Sequence, residues 1–147
     1  MSKKKATKHR NNKLKAGDIV AIPLGNGQFV FGRIYENFGL GIYDYISVSS
    51  LPPAELNSYT FAMHCSYFTR VQRDGNWMVV GHIAFRPDEN RLGPPRWHQD
   101  VISGRYEIRQ GEASRPATKK EIKGLSEDKM YFNVGLLQEL HRIFGVE

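Results

Sequence analysis

Residues 17–46 read GDIVAIPLGNGQFVFGRIYENFGLGIYDYI, and the fold turns on how this stretch divides. Apolar residues alternate on either side of Asn26-Gly27, a pair that suits the positive φ angles of a tight hairpin turn. The alternation predicts consecutive strands: Asp18 to Leu24, a second through Phe29, Phe31 and Ile34, and a third from Gly41 to Ser47. In the second, Phe29 and Phe31 share one face while Val30, Gly32 and Ile34 share the other, so that strand is buried on both sides. Gly32 weakens a strand interior, which marks a bulge or a close approach of backbone. The third strand sets Ile42, Asp44 and Ile46 opposite Tyr43 and Tyr45. Such a sheet begins a core and needs other elements to cover it.

Working outward, Pro52-Pro53 closes this segment and PPAELNS reads as one short helical turn. From Tyr59 to Arg70 a half-buried strand places Tyr59, Phe61, Met63, Cys65 and Tyr67 on one side. Asp74-Gly75 is then expected to turn this strand into a hairpin with Trp77 to Phe85. Arg86 to Pro95 has loop composition, and short strands are expected over 96–102 and 105–109. Thr118 and Glu121 have capping-box spacing, which starts a short helix ending near Gly124. Asn133 is placed to cap a last helix, with Leu136, Leu137, Leu140, Ile143 and Phe144 on one stripe and Gly145 as its stop. The expected class is α+β and strand-rich: an antiparallel sheet or partly open β-barrel with two C-terminal helices.

A chain of 147 residues fits one domain able to bury a core without metal or disulfide staples. The net charge of +6 is carried by the start, where seven Lys and Arg precede the first acid, Asp18. The remainder balances 14 basic against 15 acidic residues. Residues 1–15 therefore read as a basic flexible tail and 16–147 as a single, nearly neutral domain, with nucleic-acid contact open to the tail alone. The first ten residues lack an apolar signal region, and Cys65 is the lone cysteine, so the expected compartment is the reducing cytoplasm, with no membrane association.

Catalytic patterns are weak. Cys65 with His82 or His98 would be a nucleophile and base, yet Cys65 falls on the apolar side of its strand, where cysteine behaves as a small hydrophobe. His64, Cys65, His82 and His98 lack metal-ligand spacing, and adjacent strand residues face opposite ways. The glycines around Asn26 and Leu40 lie between strands, which gives turns and no phosphate loop. No enzyme, metal or cofactor is expected. Tyr35, Tyr43, Tyr45, Trp97 and Tyr106 lie beside charged residues, a pattern common at protein interfaces and on nucleic-acid stacking platforms.

Taken in order, GDIVAIPLGNGQFVFGRI at 17–34, WMVVGHIAF at 77–85, PPRWHQDVISGRYEI at 94–108 and RPATKKEIKGL at 115–125 resemble the Immunity protein 26 family, bacterial proteins encoded near polymorphic toxins. The resemblance implies a strand-rich protein that binds and neutralises a cognate toxin, with no catalytic residues. Its pattern residues here are Gly17, Asp18, Pro23, Gly32, Trp77, Gly81, Gln99, Asp100, Gly104 and Tyr106. For a toxin-binding surface the expected residues are Tyr43, Asp44, Tyr45, Asp74, Trp97 and Asp100, since acidic and aromatic side chains at strand ends and turns suit a basic nuclease-type toxin. The alternative is a nucleic-acid-binding SH3-like or barrel domain that tracks phosphates with its basic tail and stacks bases on strand tyrosines.

Overall fold

The structure is a computed structural model that describes residues 13–146. The expected tail lies outside the described residues as far as residue 12. Leu14 already packs against the core, and the Lys15 backbone N–H donates to Asp18 Oδ2 at 2.8 Å.

In chain order the elements are β1 (Asp18–Pro23), β2 (Phe29–Ile34), β3 (Gly39–Ser47), a 3-10 turn (Leu56–Ser58), β4 (Phe61–Tyr67) and α1 (Val71–Asp74). They continue with β5 (Met78–His82), β6 (Arg96–Gln99), β7 (Tyr106–Gln110), β8 (Ala113–Ala117), β9 (Met130–Tyr131) and α2 (Asn133–Phe144). They form two open sheets, ordered β5-β1-β2-β3-β4-β9 and β6-β7-β8, and neither closes into a barrel. Pairing is antiparallel except between β4 and β9.

The large sheet buries both faces, as the β2 pattern requires. Val20, Ile22, Val30, Ile34, Leu40, Ile42 and Cys65 meet Leu136 and Leu140 of α2 on one face. Ile19, Ala21, Phe31 and Tyr43 pack with Leu56 on the other. Gly32 is a close approach, since a Cβ there would lie 2.6 Å from Leu40 Cδ1, and it borders a bulge that lies on the neighbouring strand: between the pairs Val30–Ile46 and Gly32–Ile42, residues 43–45 of β3 oppose Phe31 alone. Helix α2 ends as expected on Gly145, at φ +66, and His141 Nε2–H donates to the Leu24 carbonyl at 2.7 Å, which ties the helix end to the β1–β2 loop.

Several expectations give way. Among the described residues there is one C-terminal helix, not two. Thr118 and Glu121 do make the reciprocal capping bonds, at 2.8 and 3.2 Å, but the segment stays a run of turns up to Gly124 at φ +83, because one capped turn does not repay helix nucleation. Strands β4 and β5 are not a hairpin. Val71 is buried and pulls residues 71–74 into the helical turn α1, after which β5 crosses to the far edge and pairs with β1. The alternation of β4 also breaks: Phe61 pairs with Tyr43 and Met63 with Ile42, so the extra residue Ala62 moves Tyr59 and Phe61 to the face opposite Met63, Cys65 and Tyr67. The Asn26-Gly27 hairpin is wider than a two-residue turn, closed by Leu24 N–H to Gln28 O at 2.9 Å. Asn133 enters α2 as its first residue, and its Nδ2 donates to the Asp74 carbonyl at 3.4 Å.

One charged side chain joins the large sheet to the loop leading toward the small one. Arg33 is 3% exposed and donates to Glu89 Oε2 at 3.1 Å and to the carbonyls of Ile83 and Ala84 at 2.9 and 3.2 Å. Its guanidinium also lies 4.1 Å from the Phe85 ring centroid. At the other end of the connection, β6 is stitched to the chain before β9: Trp97 N–H donates to Ser126 O, and Asp128 N–H to Trp97 O.

Candidate functional site

The expected surface residues fall on three separate elements. On β3, Tyr43 is wholly buried, stacks on Phe61 with 4.5 Å between ring centroids, and donates its hydroxyl to Asn57 Oδ1 at 3.1 Å. Burial pushes its phenol up to about 12. Tyr43 is therefore a core residue. Asp44 points out to solvent, and Tyr45 lies half-buried between Tyr59 at 4.8 Å and Phe31 at 6.1 Å. Val48 and Leu51, 80% and 70% exposed, follow in the loop after β3, so this end of the sheet offers an aromatic and aliphatic rim beside one carboxylate.

The second group is gathered by a single hairpin, β6–β7. At its base the Trp97 ring meets Tyr106 edge-on at 6.0 Å and donates Nε1–H to Leu125 O at 3.1 Å. Arg109 bridges Glu107 at 2.6 Å and Asp128 at 3.3 Å, with Arg96 Nε 3.6 Å from the same Asp128. At its tip, Asp100 spends its carboxylate on the turn: Oδ2 accepts the Ser103 N–H at 2.7 Å, a bond that holds its pKa below the usual carboxylate range. Asp100 N–H reaches Arg105 O, Gly104 N–H returns to Asp100 O, and Gln99 Nε2 donates to Gly104 O at 3.1 Å. Gly104 takes φ +75, which a side chain would resist. Between these bonds stand Val101 and Ile102, 94% and 96% exposed. Sequence reading missed both by assigning 96–102 to a strand; an apolar pair enclosed by Asp100 and Ser103-Gly104 was the available signal.

Asp74 is alone on α1, exposed, 3.7 Å from Arg73 Nε, and no bond or aromatic contact among the described residues joins it to either group. The remaining pattern residues lie within the large sheet and at its strand ends. Gly17 at φ +98 lies against His82, Asp18 Oδ1 is 2.9 Å from His82 Nδ1, and Pro23 ends β1. Trp77 is buried against Tyr67, and Gly81 pairs with Ile19.

The reactive side-chain types are held in quiet states. Cys65 is buried at 1% exposure, and burial raises its thiol to about 12, which leaves it protonated and a poor nucleophile at neutral pH. His64, 3.5 Å from the Tyr35 hydroxyl, is brought down to about 4, first by burial and then by Arg96. Among the described residues no three His, Cys, Asp or Glu side chains converge as a metal site, and no helix is long and apolar enough to cross a membrane.

No curated protein and no solved structure matches the chain. The model of a family described as Immunity protein 26 matches residues 15–108. That span opens just before β1 and closes on Ile108 in β7, so it contains the doubly buried strands, the Arg33 connection and the whole β6–β7 tip, while the 115–125 segment lies beyond it. Covering well over half of the 147 residues, the match places this chain in the Immunity protein 26 family.

Proposed function

We propose that this protein neutralises a cognate bacterial toxin in the cytoplasm of the cell that makes it, by occupying the toxin surface and without bond chemistry of its own. Membership in an immunity-protein family supports the toxin as partner. The observation that carries the non-catalytic reading is the placement of Cys65: the lone thiol is buried in the core, and that burial raises its pKa to about 12. The exposed features are of the recognition type instead, an aromatic and aliphatic rim at Asp44, Tyr45, Val48 and Leu51 and a rigid hairpin tip.

The test is coexpression with the toxin encoded by the adjacent gene. Restored growth and a complex that copurifies at fixed stoichiometry are the expected results. Killing that continues at equal expression, with no complex, rejects the reading. Toxin that is cleaved or modified on incubation with the purified protein rejects its non-catalytic part.

A further inference from the structure

We infer that Val101 and Ile102 form an apolar knob that seats in a concave apolar cleft of the cognate toxin, with Arg105 facing a carboxylate on the cleft's rim; this rests on the toxin-binding reading above. Most exposed apolar side chains of a protein are isolated and need no explanation. Here two adjacent aliphatic residues stand almost fully in water, 94% and 96% exposed, at the extremity of a hairpin. They are also held rigidly. Asp100, Gln99, Ser103, Gly104 and Arg105 close the turn with side-chain and backbone bonds, so little ordering entropy remains to be lost on docking.

The charge pattern selects the partner's chemistry. Asp100 already accepts the Ser103 N–H, whereas Arg105 is exposed and joins no ion pair among the described residues. The tip thus presents aliphatic surface flanked by two charges, the Asp100 carboxylate already engaged by Ser103 through one oxygen and the Arg105 guanidinium with no ion-pair partner among the described residues, and Arg105 is the one left to face a carboxylate of the toxin.

The sheet edges point the same way, because each is defended against an added strand. Strand β5 bulges at Val80 between the pairs Ile19–Gly81 and Val20–Val79, and β8 carries Arg115 and Pro116. Strand β9 has only two residues, and β6 is covered by Ser126 and Asp128. Recognition by strand addition is disfavoured at these edges, which leaves side-chain contacts, and the tip is the most exposed of them. A membrane is the less suitable partner, since the ring nearest the tip, Tyr106, is half-buried against Trp97 and not displayed beside Val101 and Ile102.

The experiment measures binding of the full chain to the catalytic domain of the adjacent-gene toxin by titration calorimetry, for the unaltered protein, Val101→Ser/Ile102→Ser, Ile102→Asp, Arg105→Glu, and Val134→Asp as an exposed apolar control on α2. Melting temperatures of the tip variants should match the unaltered protein, because the altered side chains bury nothing. The expected result is a loss of affinity of about 30-fold or more for the Ile102 variants, a slower association for Arg105→Glu, and no change for Val134→Asp. Tight binding by the unaltered protein that the tip variants retain overturns this inference and leaves the immunity reading standing. Absence of binding and of protection by the unaltered protein overturns both. Flotation with mixed phosphatidylcholine and phosphatidylserine vesicles that the tip variants lose assigns the knob to a membrane and overturns the toxin cleft.

Discussion

Replacing Arg33 by Ala would test whether a single buried guanidinium couples the two sheets. The side chain is 3% exposed, and its removal leaves the Ile83 and Ala84 carbonyls and the Oε2 atom of Glu89 without this donor, besides the contact over Phe85. Hydrogen bonds to a charged group each contribute roughly 1.5–3 kcal/mol, but Glu89 is 20% exposed and regains water, so the bonds do not simply add. Breaking a buried pair by removing one partner costs about 3–5 kcal/mol, and the lower end suits this partly wet acid. About 3 kcal/mol is a large share of the roughly 5–15 kcal/mol that holds a domain together. Urea unfolding, followed by fluorescence of the buried Trp77, would read the loss as a lower midpoint at unchanged slope.

The same connection has a pH signature. Hydrogen bonds from Arg33 and then from the Arg86 backbone N–H hold the Glu89 carboxyl below its ordinary value. A carboxylate lowered in the fold contributes stability above its unfolded pKa, near 4.3, and that contribution is lost as pH falls through the folded value. Glu89→Gln should therefore lose less stability than the unaltered protein between neutral and acid pH. An Arg33→Ala protein less than about 1 kcal/mol destabilised, or a Glu89→Gln acid profile identical to the original, would show that solvent replaces these bonds and that Arg33 locks nothing.

His64 predicts a second pH dependence of opposite chemical type. Its folded pKa near 4 lies below the unfolded value near 6.5, so stability should fall as pH drops through that window, by at most about 3 kcal/mol, and His64→Gln should flatten the curve of unfolding free energy against pH. Gly32→Ala should cost about 1–3 kcal/mol in thermal or urea unfolding, because the new Cβ meets Leu40 Cδ1 at 2.6 Å between two filled faces. A neutral result would mean that Leu40 moves freely. Amide hydrogen exchange should be faster across β6–β8 than across β1–β3, since Ile108 is the one buried residue of the small sheet while β1 and β2 are buried almost throughout; equal protection would contradict this ordering.

The large sheet was legible because its strands carry two apolar faces, and β2 announced this with Phe29 and Phe31 against Val30 and Ile34. The close approach at Gly32 was readable for the same reason, as a glycine where bulk was otherwise continuous, whereas the bulge beside it lies on β3. Legibility failed where one inserted residue changes parity. Ala62 moved Tyr59 and Phe61 across the sheet, and no property of an alanine marks it as a bulge. It failed again where a local signal was weaker than a tertiary one: Asp74-Gly75 favoured a hairpin, but the burial of Val71 and Trp77 sent β5 to the opposite edge. Of the candidate surface, Trp97 and Asp100 were found together on one hairpin, while Tyr43 proved to be core and Asp74 stands apart. Val101 and Ile102 were missed because apolar residues in sequence are first assigned to the interior, and exposure at a turn is decided by bonds that only the folded chain reveals.

The buried core and the exposed hairpin tip thus occupy different parts of the molecule. The six-stranded sheet, filled on both sides and clasped by α2, holds nearly all the buried apolar residues and can tolerate little change. The three-stranded sheet has almost no core of its own and is positioned by polar means: the Arg33 connection before it, the Trp97 backbone bonds beside it, and Asp128 shared between Arg96 and Arg109 beneath it. Such a sheet owes its shape to the body that carries it, so its outward side chains are free to vary without cost to folding. On the proposed reading, with the toxin contact at the tip, this separation lets the residues of the contact change while the glycines, bulges and buried strands that carry them remain as they are.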